Sequence, residues 1–238
     1  MLDQARHFDP VPTSGKGDRG LRAYMAPVYL RMAGGMAMSA ATSWHVAHDA
    51  SLAGALFTPD GLTTTGWIVT LAPLGLVFLL SARIDHLGAA AGAIFLLYAA
   101  LVGLSLGGLL FAYTGVSLVA TFVATAGGFA ALAWFGSMSR RDLSAAGTFL
   151  SIGLAGLIVA LLLNMFTRSA GFDLVLSAIG LMLFAGLAAV DAQRLKRLYR
   201  QAAGEGREQL AILGALTLYL DFLNLFVFLL RFTGRRRD

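Results

Sequence analysis

The chain has 238 residues, of which 58% are hydrophobic and 13% are charged, and its formal net charge is +5. Soluble domains average about 45–50% apolar and about 25% charged residues, so this composition excludes an ordinary soluble domain and favours one polytopic membrane protein. The chain has no cysteine, which excludes disulfides and thiolate metal sites. Its basic residues cluster between hydrophobic runs, which indicates membrane topology and not binding to nucleic acid.

The N-terminal segment, residues 1–22, is polar and contains Pro10 and Pro12. This pattern predicts a flexible cytoplasmic tail and not a cleavable signal peptide. Seven apolar runs follow, as candidates for the roughly 20 residues that a membrane helix needs. A single transmembrane domain over 23–234 and a short basic tail over 235–238 are therefore predicted. The seven runs are approximately 24–47, 67–82, 89–113, 116–136, 145–166, 172–192 and 210–232.

Lysine and arginine in the connections predict the orientation, because they are enriched on the cytoplasmic side. With the N-terminus inside, the outer loops contain Arg168 alone, and the C-terminus lies in the periplasm. The tail residues 235–237 then fall outside, so a six-span arrangement with a re-entrant last run stays open as an alternative. The basic residues of the inner segments are Arg6, Lys16, Arg19, Arg22, Arg83, Arg140, Arg141, Arg194, Lys196, Arg197, Arg200 and Arg207.

The last run contains Asp221 near its middle and Asn224 one helical turn later. A charged side chain at the centre of a membrane helix costs at least about 2.5–3.5 kcal/mol, so Asp221 should face protein or water. Asp191 lies near the inner end of the sixth run, and Arg83 lies at the inner end of the second. The predicted topology thus places all three charged groups in the cytoplasmic half of the protein.

Two carboxyl groups in a low-dielectric site tend to share a proton and to titrate as a pair. Carboxylate oxygens also suit Ca²⁺, which makes Asp191 and Asp221 a candidate calcium site. Two alternatives stay open. Asp191 could be an interfacial residue balanced by the basic residues that follow it. Asp221 and Asn224 could instead form hydrogen bonds that join helices.

Other patterns carry less information. The segment "HVAHD" places His45, His48 and Asp49 near the outer surface, where either a metal site or an interfacial polar cluster would fit. The sequence contains no HExxH or Walker motif. Gly103 and Gly107 form a GxxxG pair, which is typical of close helix packing.

Four segments resemble the Bax inhibitor-1 family, also called the transmembrane Bax inhibitor motif family. "LGALTLYLDFLNLF" at 213–226 is similar to the C-terminal signature of that family. "GLAAVDAQRLK" at 186–196 resembles its sixth-helix motif, with an Asp-x-Gln formed by Asp191 and Gln193. "SMSRRDLSAAG" at 137–147 and "RAYMAPVYLRMAGG" at 22–35 resemble an inner loop and the first helix of bacterial members.

The resemblance implies seven helices, with six of them around a central apolar helix. It also implies a pH-sensitive leak of calcium, a permeant ion and not a tightly bound cofactor, across the bacterial inner membrane. Asp191 and Asp221 match the family's sensor positions, Arg83 is the candidate tether, and Asn224 and Gln193 are candidate supporting residues.

Partners other than the lipid bilayer follow from a second hypothesis. In that hypothesis the protein is a non-conducting regulator that binds a membrane protease or another membrane protein. A membrane-embedded hydrolase is a third hypothesis, but neither Asp191 nor Asp221 lies in a GxGD-type motif, so no enzyme is expected.

Overall fold

The computed structural model describes residues 15–59, 61–88, 90–201 and 207–237, and within these the chain is almost entirely helical. A short antiparallel hairpin pairs β1 (Phe57–Thr58) with β2 (Gly61–Leu62). The helices are α1 (Gly15–His48), α2 (Ala50–Leu56), α3 (Thr64–Leu87), α4 (Ala90–Ala112), α5 (Gly115–Met138), α6 (Ser144–Thr167), α7 (Ala170–Gln201) and α8 (Arg207–Thr233).

Each of the seven predicted apolar runs corresponds to one helix, namely α1 and α3 to α8, although the run 89–113 is one residue longer than α4 at each end. Among the described residues, six helices, α3 to α8, are long and apolar enough to cross a membrane. The exception is α1, which has ample length at 34 residues but contains Gly, Ser, Thr and His where the others have Leu, Ile and Val. The all-helical polytopic class is confirmed. Length and composition support six crossings among the described helices, and α1 as a seventh crossing stays a prediction.

Helix boundaries differ from the apolar runs at the membrane surface. α1 begins at Gly15, so residues 15–22 of the predicted tail are helical, while residues 1–14 lie outside the described part of the chain. Likewise α7 continues to Gln201, beyond its predicted end at 192. Hydrophobicity marks the length embedded in hydrocarbon, but backbone hydrogen bonding continues into water, so the helices extend beyond their apolar runs.

The connection between α1 and α3 contains two elements that the hydrophobic pattern did not predict, α2 and the hairpin. Asp49 caps α2, because its Oδ1 accepts hydrogen bonds from the backbone of Ser51 and Leu52 at 2.9 and 3.0 Å. Thr63 caps α3 in the same way through Gly66. These elements are too short to show hydrophobic periodicity, so only their caps could have indicated them.

The bundle has two distinct ends. One, here the α5–α6 end, carries the connection 139–143 and the start of α8. The other, the tail end, carries the C-terminal segment 234–237. There Thr114 N donates to Arg235 O at 3.0 Å, and Arg237 N donates to Ala112 O at 3.0 Å, so the tail is tied to the connection between α4 and α5. Because α8 is one unbroken helix between the two ends, the structure does not support a re-entrant last run.

α8 is the most buried of the six apolar helices and packs against α1, α3, α4, α5 and α7. Buried residues recur along its whole length, from Ala211 to Leu230. The aromatic ring of Tyr219 lies edge-to-face against Phe95 and Tyr98 of α4, at centroid distances of 5.7 Å. The core of the protein therefore forms around α8.

Polar and small residues join α1 to α4 and α8. The hydroxyl of Ser39 lies 2.6 Å from Tyr219 Oη and donates to Ala99 O at 2.7 Å. Thr42 Oγ1 donates to Ala100 O at 3.1 Å. The packing predicted for the GxxxG pair is confirmed, since a Cβ at Gly103 would collide with Thr42 and with the backbone of Ser39. These contacts explain how a weakly apolar helix is held in the bundle.

Replacing Gly103 with alanine should destabilise the fold, because the added Cβ meets backbone atoms of α1 that cannot rotate away. A loss of about 1–3 kcal/mol is expected for such overpacking. Gly92, in the same helix, has open space within 4 Å of the point that a Cβ would occupy. Gly92→Ala is thus the matched control, and its thermal unfolding midpoint in detergent should equal or exceed that of wild type. Equal midpoints for both variants would contradict the close α1–α4 contact.

Candidate functional site

Asp221 is buried in the middle of α8, with 5% of its surface exposed. Its Oδ2 is buried and has no hydrogen-bond partner among the described residues. The prediction that Asp221 faces the protein interior is confirmed. An isolated buried carboxylate is strongly disfavoured, so either a proton or a nearby cation must accompany it.

Asp191 of α7 is the neighbour of Asp221. It is partly buried, and its carboxyl group lies close enough to that of Asp221 for the two to interact electrostatically. The two predicted sensor residues therefore come together where α7 packs against α8.

The two aspartates line a cavity of about 950 Å³ between α6, α7 and α8. Helical spacing explains which residues face it, because positions three and four apart share one side of a helix. On α8 the cavity is lined by Thr217, Leu220, Asp221, Asn224 and Phe228, and on α7 by Phe184, Leu187, Val190, Asp191, Arg194, Arg197 and Leu198. Helical periodicity thus places each carboxyl group on the face of its own helix that lines the cavity.

The cavity extends from the α5–α6 end far into the bundle. Ser144 and Leu161 line its extremes on α6, and at a rise of 1.5 Å per residue they lie roughly 25 Å apart. Polar and charged residues line the part of the cavity at the α5–α6 end, which we call its entrance, whereas apolar side chains such as Phe228 line its deep part. A polar solute entering from the α5–α6 end would meet the carboxyl pair before the apolar section.

Two arginines lie at the entrance. The positive charge of Arg194 acts on Asp191, one helical turn away on α7. Arg197 forms an ion pair with Asp142, with 2.6 Å between Nη1 and Oδ1. Hydrogen bonds from the backbone and side chain of Ser144, followed by Arg197, hold the pKa of Asp142 below its usual range. Asp142 therefore stays ionised at neutral pH and keeps Arg197 at the entrance.

Gln193 has a structural position and does not line the cavity. It is buried, and its Oε1 accepts a hydrogen bond from Leu143 N at 2.9 Å. Its Nε2 donates to Arg141 O at 2.8 Å and to Ser139 O at 3.3 Å. Gln193 thereby fastens the α5–α6 connection to α7, while Asp191, two residues earlier, faces α8.

Asn224 lies in the cavity, but its described hydrogen bond stays within α8. Its Nδ2 donates to Leu220 O at 2.9 Å. The structure therefore does not support the alternative in which Asn224 joins helices. Its position beside Asp221 keeps it a candidate supporting residue.

Arg83 is not among the residues that line this cavity. It is exposed on α3, and no ion pair of Arg83 occurs among the described residues. The positive charge that acts on the carboxyl pair is that of Arg194, through its interaction with Asp191. A tethering role for Arg83 stays a prediction.

The "HVAHD" segment forms local contacts at the tail end. His48 Nδ1 lies 2.9 Å from Trp44 O, and the two rings stack with centroids 3.8 Å apart. Asp49 caps α2 through the hydrogen bonds given for that helix. In the parts of the chain that the structure describes, no group of three or more His, Asp or Glu residues could hold a metal ion.

Sequence reasoning missed the two arginines and Thr217 as members of the site. The charge pattern alone identifies Arg194 and Arg197 only as topology signals. The spacing of three residues from Asp191 to Arg194, and again from Arg194 to Arg197, was the available signal, because residues three apart are neighbours on a helix surface. The contribution of α6 had no comparable signal, since its lining residues are small or apolar.

The fold and the site define the class of this protein as a helical polytopic membrane protein with an acidic pair inside its bundle. Residues 21–238 match the family model described as "Inhibitor of apoptosis-promoting Bax1". The chain belongs to the Bax inhibitor-1 family, and the resemblance found in the sequence is confirmed.

Bacterial relatives match along nearly their whole length. The "Inner membrane protein YbhL" of Escherichia coli strain K12 is 41% identical over 222 residues, which cover 92% of this chain and 94% of the relative. An uncharacterized protein of Deinococcus radiodurans is 42% identical over 220 residues, with 92% of each chain covered. "Uncharacterized protein RP147" of Rickettsia prowazekii is 35% identical over 240 residues, with both chains fully covered.

The cavity can be tested by cysteine labelling, because the chain has no native cysteine. Thr217 lines the cavity, whereas its neighbour Leu218 has 0% of its surface exposed and faces the core. Thr217→Cys should react with a water-soluble thiol reagent added at the α5–α6 end, and Leu218→Cys should not. Equal protection of both positions at every pH tested would contradict a water-accessible cavity.

Proposed function

We propose that this protein is a passive, pH-sensitive Ca²⁺ leak of the bacterial inner membrane, controlled by Asp191 and Asp221. One observation carries the proposal. A buried carboxyl group in the middle of an apolar helix lies next to a second carboxyl group on the wall of a cavity that begins at one end of the bundle. Ionisable groups placed at this depth in a membrane protein typically mark an ion or proton pathway.

The proposed arrangement has seven crossings, with α1 as the seventh and α8 in the middle. Support for α1 comes from its packing along α4 and α8, both of which are apolar enough to span the membrane. The proposed orientation puts the α5–α6 end in the cytoplasm. This choice rests on the basic residues at that end, which include Arg140, Arg141, Arg194, Lys196 and Arg197.

The carboxyl pair would couple proton concentration to helix packing. When both groups are protonated the pair is neutral, and when both are ionised two negative charges lie side by side in a low-dielectric site. Repulsion between the charges acts between α7 and α8, which carry one carboxyl group each. Arg194 opposes this repulsion through its attraction to Asp191. A change in pH would therefore alter how the two helices pack, and with it the conducting path.

Ca²⁺ suits such a site as a passing ion. It takes six to eight oxygen ligands, and two carboxylates supply up to four. The side-chain oxygen of Asn224, which lines the same cavity, is a further candidate ligand. Water would have to supply the rest, as expected for an ion in transit and not for a resident cofactor.

Reconstitution of the purified protein into liposomes that contain a calcium dye tests the proposal. A leak needs no partner, so calcium should enter protein-containing vesicles and not empty ones. The second hypothesis, a non-conducting regulator of a membrane protease or another membrane protein, predicts no flux from the protein alone.

Asp221→Asn and Asp191→Asn should each flatten the pH dependence of calcium flux, because asparagine keeps the shape of the side chain but cannot titrate. The double variant should add little beyond either single variant, since the pair titrates as a unit. Calcium flux is measured in liposomes across a range of pH values.

Asp173→Asn is the matched control for these variants. Asp173 lies on α7 at the tail end, where its Oδ1 is 3.9 Å from Arg231 Nη1, and it does not line the cavity. Its replacement should leave the pH profile unchanged. If both single variants at the pair fold and keep the wild-type profile, the pair is not the sensor, and Asp221 serves packing alone.

The orientation makes a separate prediction. A reporter fused after Asp238 should face the periplasm, and one inserted in the 197–207 connection should face the cytoplasm, because α8 crosses the bundle once. Reporter activities that place both sites in the cytoplasm would require the six-span arrangement.

A further inference from the structure

A second cavity, of about 570 Å³, lies at the tail end between α1, α4, α5 and α8. Apolar side chains dominate its lining, with Phe222 and Phe226 of α8 at its back. α1 and α5 do not pack along their lengths. Trp44 and Val119, on opposite sides of this gap, are 62% and 65% exposed. The cavity therefore opens sideways, toward the lipid that would surround the bundle.

The polar groups of this cavity follow an order along the membrane normal. Arg237 and His48, the last residue of α1, lie at the rim of the cavity. The hydrogen bond from Arg237 N to Ala112 O holds the tail in place there. Ser43 lies deeper and is 6% exposed, and its Oγ is buried without a hydrogen-bond partner among the described residues. Below Ser43 the wall reaches Met36.

The spacing of these groups can be read from α1. At 1.5 Å per residue, Ser43 lies about 7 Å below His48, and Met36 lies about 10 Å below Ser43. A glycerophospholipid has the same order of chemistry, with a charged phosphate outermost, ester carbonyls several ångströms deeper, and then an acyl chain. The Ser43 side chain lines the cavity, so rotation about its Cα–Cβ bond would turn the hydroxyl toward an acceptor at the ester depth. Such a bond would offset the cost of leaving a buried polar group unpaired.

We propose that this cavity binds one anionic glycerophospholipid from the leaflet at the tail end. The guanidinium of Arg237 contacts the phosphate, the Ser43 hydroxyl donates to an ester carbonyl, and one acyl chain fills the gap between α1 and α5 down to Met36. Arg235 and Arg236, next to Arg237 in the tail, add positive charge that favours an anionic headgroup. This inference is independent of calcium conduction.

Binding is tested by native mass spectrometry of the delipidated full-length protein, titrated with phosphatidylglycerol. The expected result is one saturable phosphatidylglycerol per chain, and weaker binding of phosphatidylcholine with the same acyl chains. Arg237→Gln should weaken phosphatidylglycerol binding about fivefold, the usual effect of one basic residue at a membrane surface. Arg236→Gln is the control, because Arg236 does not line the cavity, and it should have a smaller effect. Ser43→Ala should also weaken binding.

Occupancy of the cavity itself is tested with a bulky substitution. Ala40 lines the cavity on α1, whereas Ala41, also exposed on α1, does not. Ala40→Trp should abolish the saturable site, and Ala41→Trp should retain it, with circular dichroism confirming that both variants fold. If Ala40→Trp does not fold, the comparison of Arg237→Gln with Arg236→Gln decides alone.

Several outcomes would overturn the proposal. They are unsaturable binding, equal affinity for the two headgroups, or equal affinity of the Arg237 and Arg236 variants. Unchanged binding by a folded Ala40→Trp variant would also do so. A wild-type dimer that Ala40→Trp converts to a monomer would assign the cavity to a second copy of the chain.

Discussion

The burial of a carboxyl group in the middle of α8 is the constraint to which much of the rest of the structure responds. A membrane offers such a group no water, so its cost must be met by neighbours within the protein. Asp221 can stay in the bundle only where it reaches a second titratable group and a cavity with polar side chains in its wall. Both conditions hold where α7 packs against α8, since Asp191 and the cavity lie on the same faces of these helices. A single carboxyl at this depth would be a liability, whereas a pair with access to water can respond to protons.

Helix association in the bundle follows the rules expected for lipid and not those of a soluble core. Because lipid tails are as apolar as leucine, hydrophobicity alone does not bring membrane helices together, and small residues and interhelical hydrogen bonds do so. The α1–α4 contact illustrates this most directly. Gly103 admits the backbone of α1, and Ser39 links α4 to Tyr219 of α8 by two short hydrogen bonds. α1 is thereby held in place despite its modest hydrophobicity.

The two ends of the bundle are fastened by different means. At the α5–α6 end, Gln193 holds the connection 139–143 through three hydrogen bonds, and the ion pair between Arg197 and Asp142 adds a contact beside the cavity entrance. At the tail end, backbone hydrogen bonds tie residues 235–237 to the start of α5 and the end of α4. Of these contacts, only the ion pair between Arg197 and Asp142 depends on ionised side chains. The bonds of Gln193 and the backbone bonds at the tail end join neutral groups.

The sequence by itself determined the membrane class, the positions of the seven long helices and the two aspartates, because a long apolar run and a charge inside it are strong local signals. The helical periodicity of α7 and α8 also predicts which residues share a face with Asp191, Asp221 and Asn224. Only the tertiary structure decided that these faces meet, that Arg194 and not Arg83 is the nearby cation, and that Gln193 serves the connection instead of the cavity. It also decided that α6 completes the wall. Each of these depends on how helices distant in sequence rotate and pack against one another. A motif such as the GxxxG pair predicts that a helix packs closely, but a single sequence does not say against which helix or in which rotation.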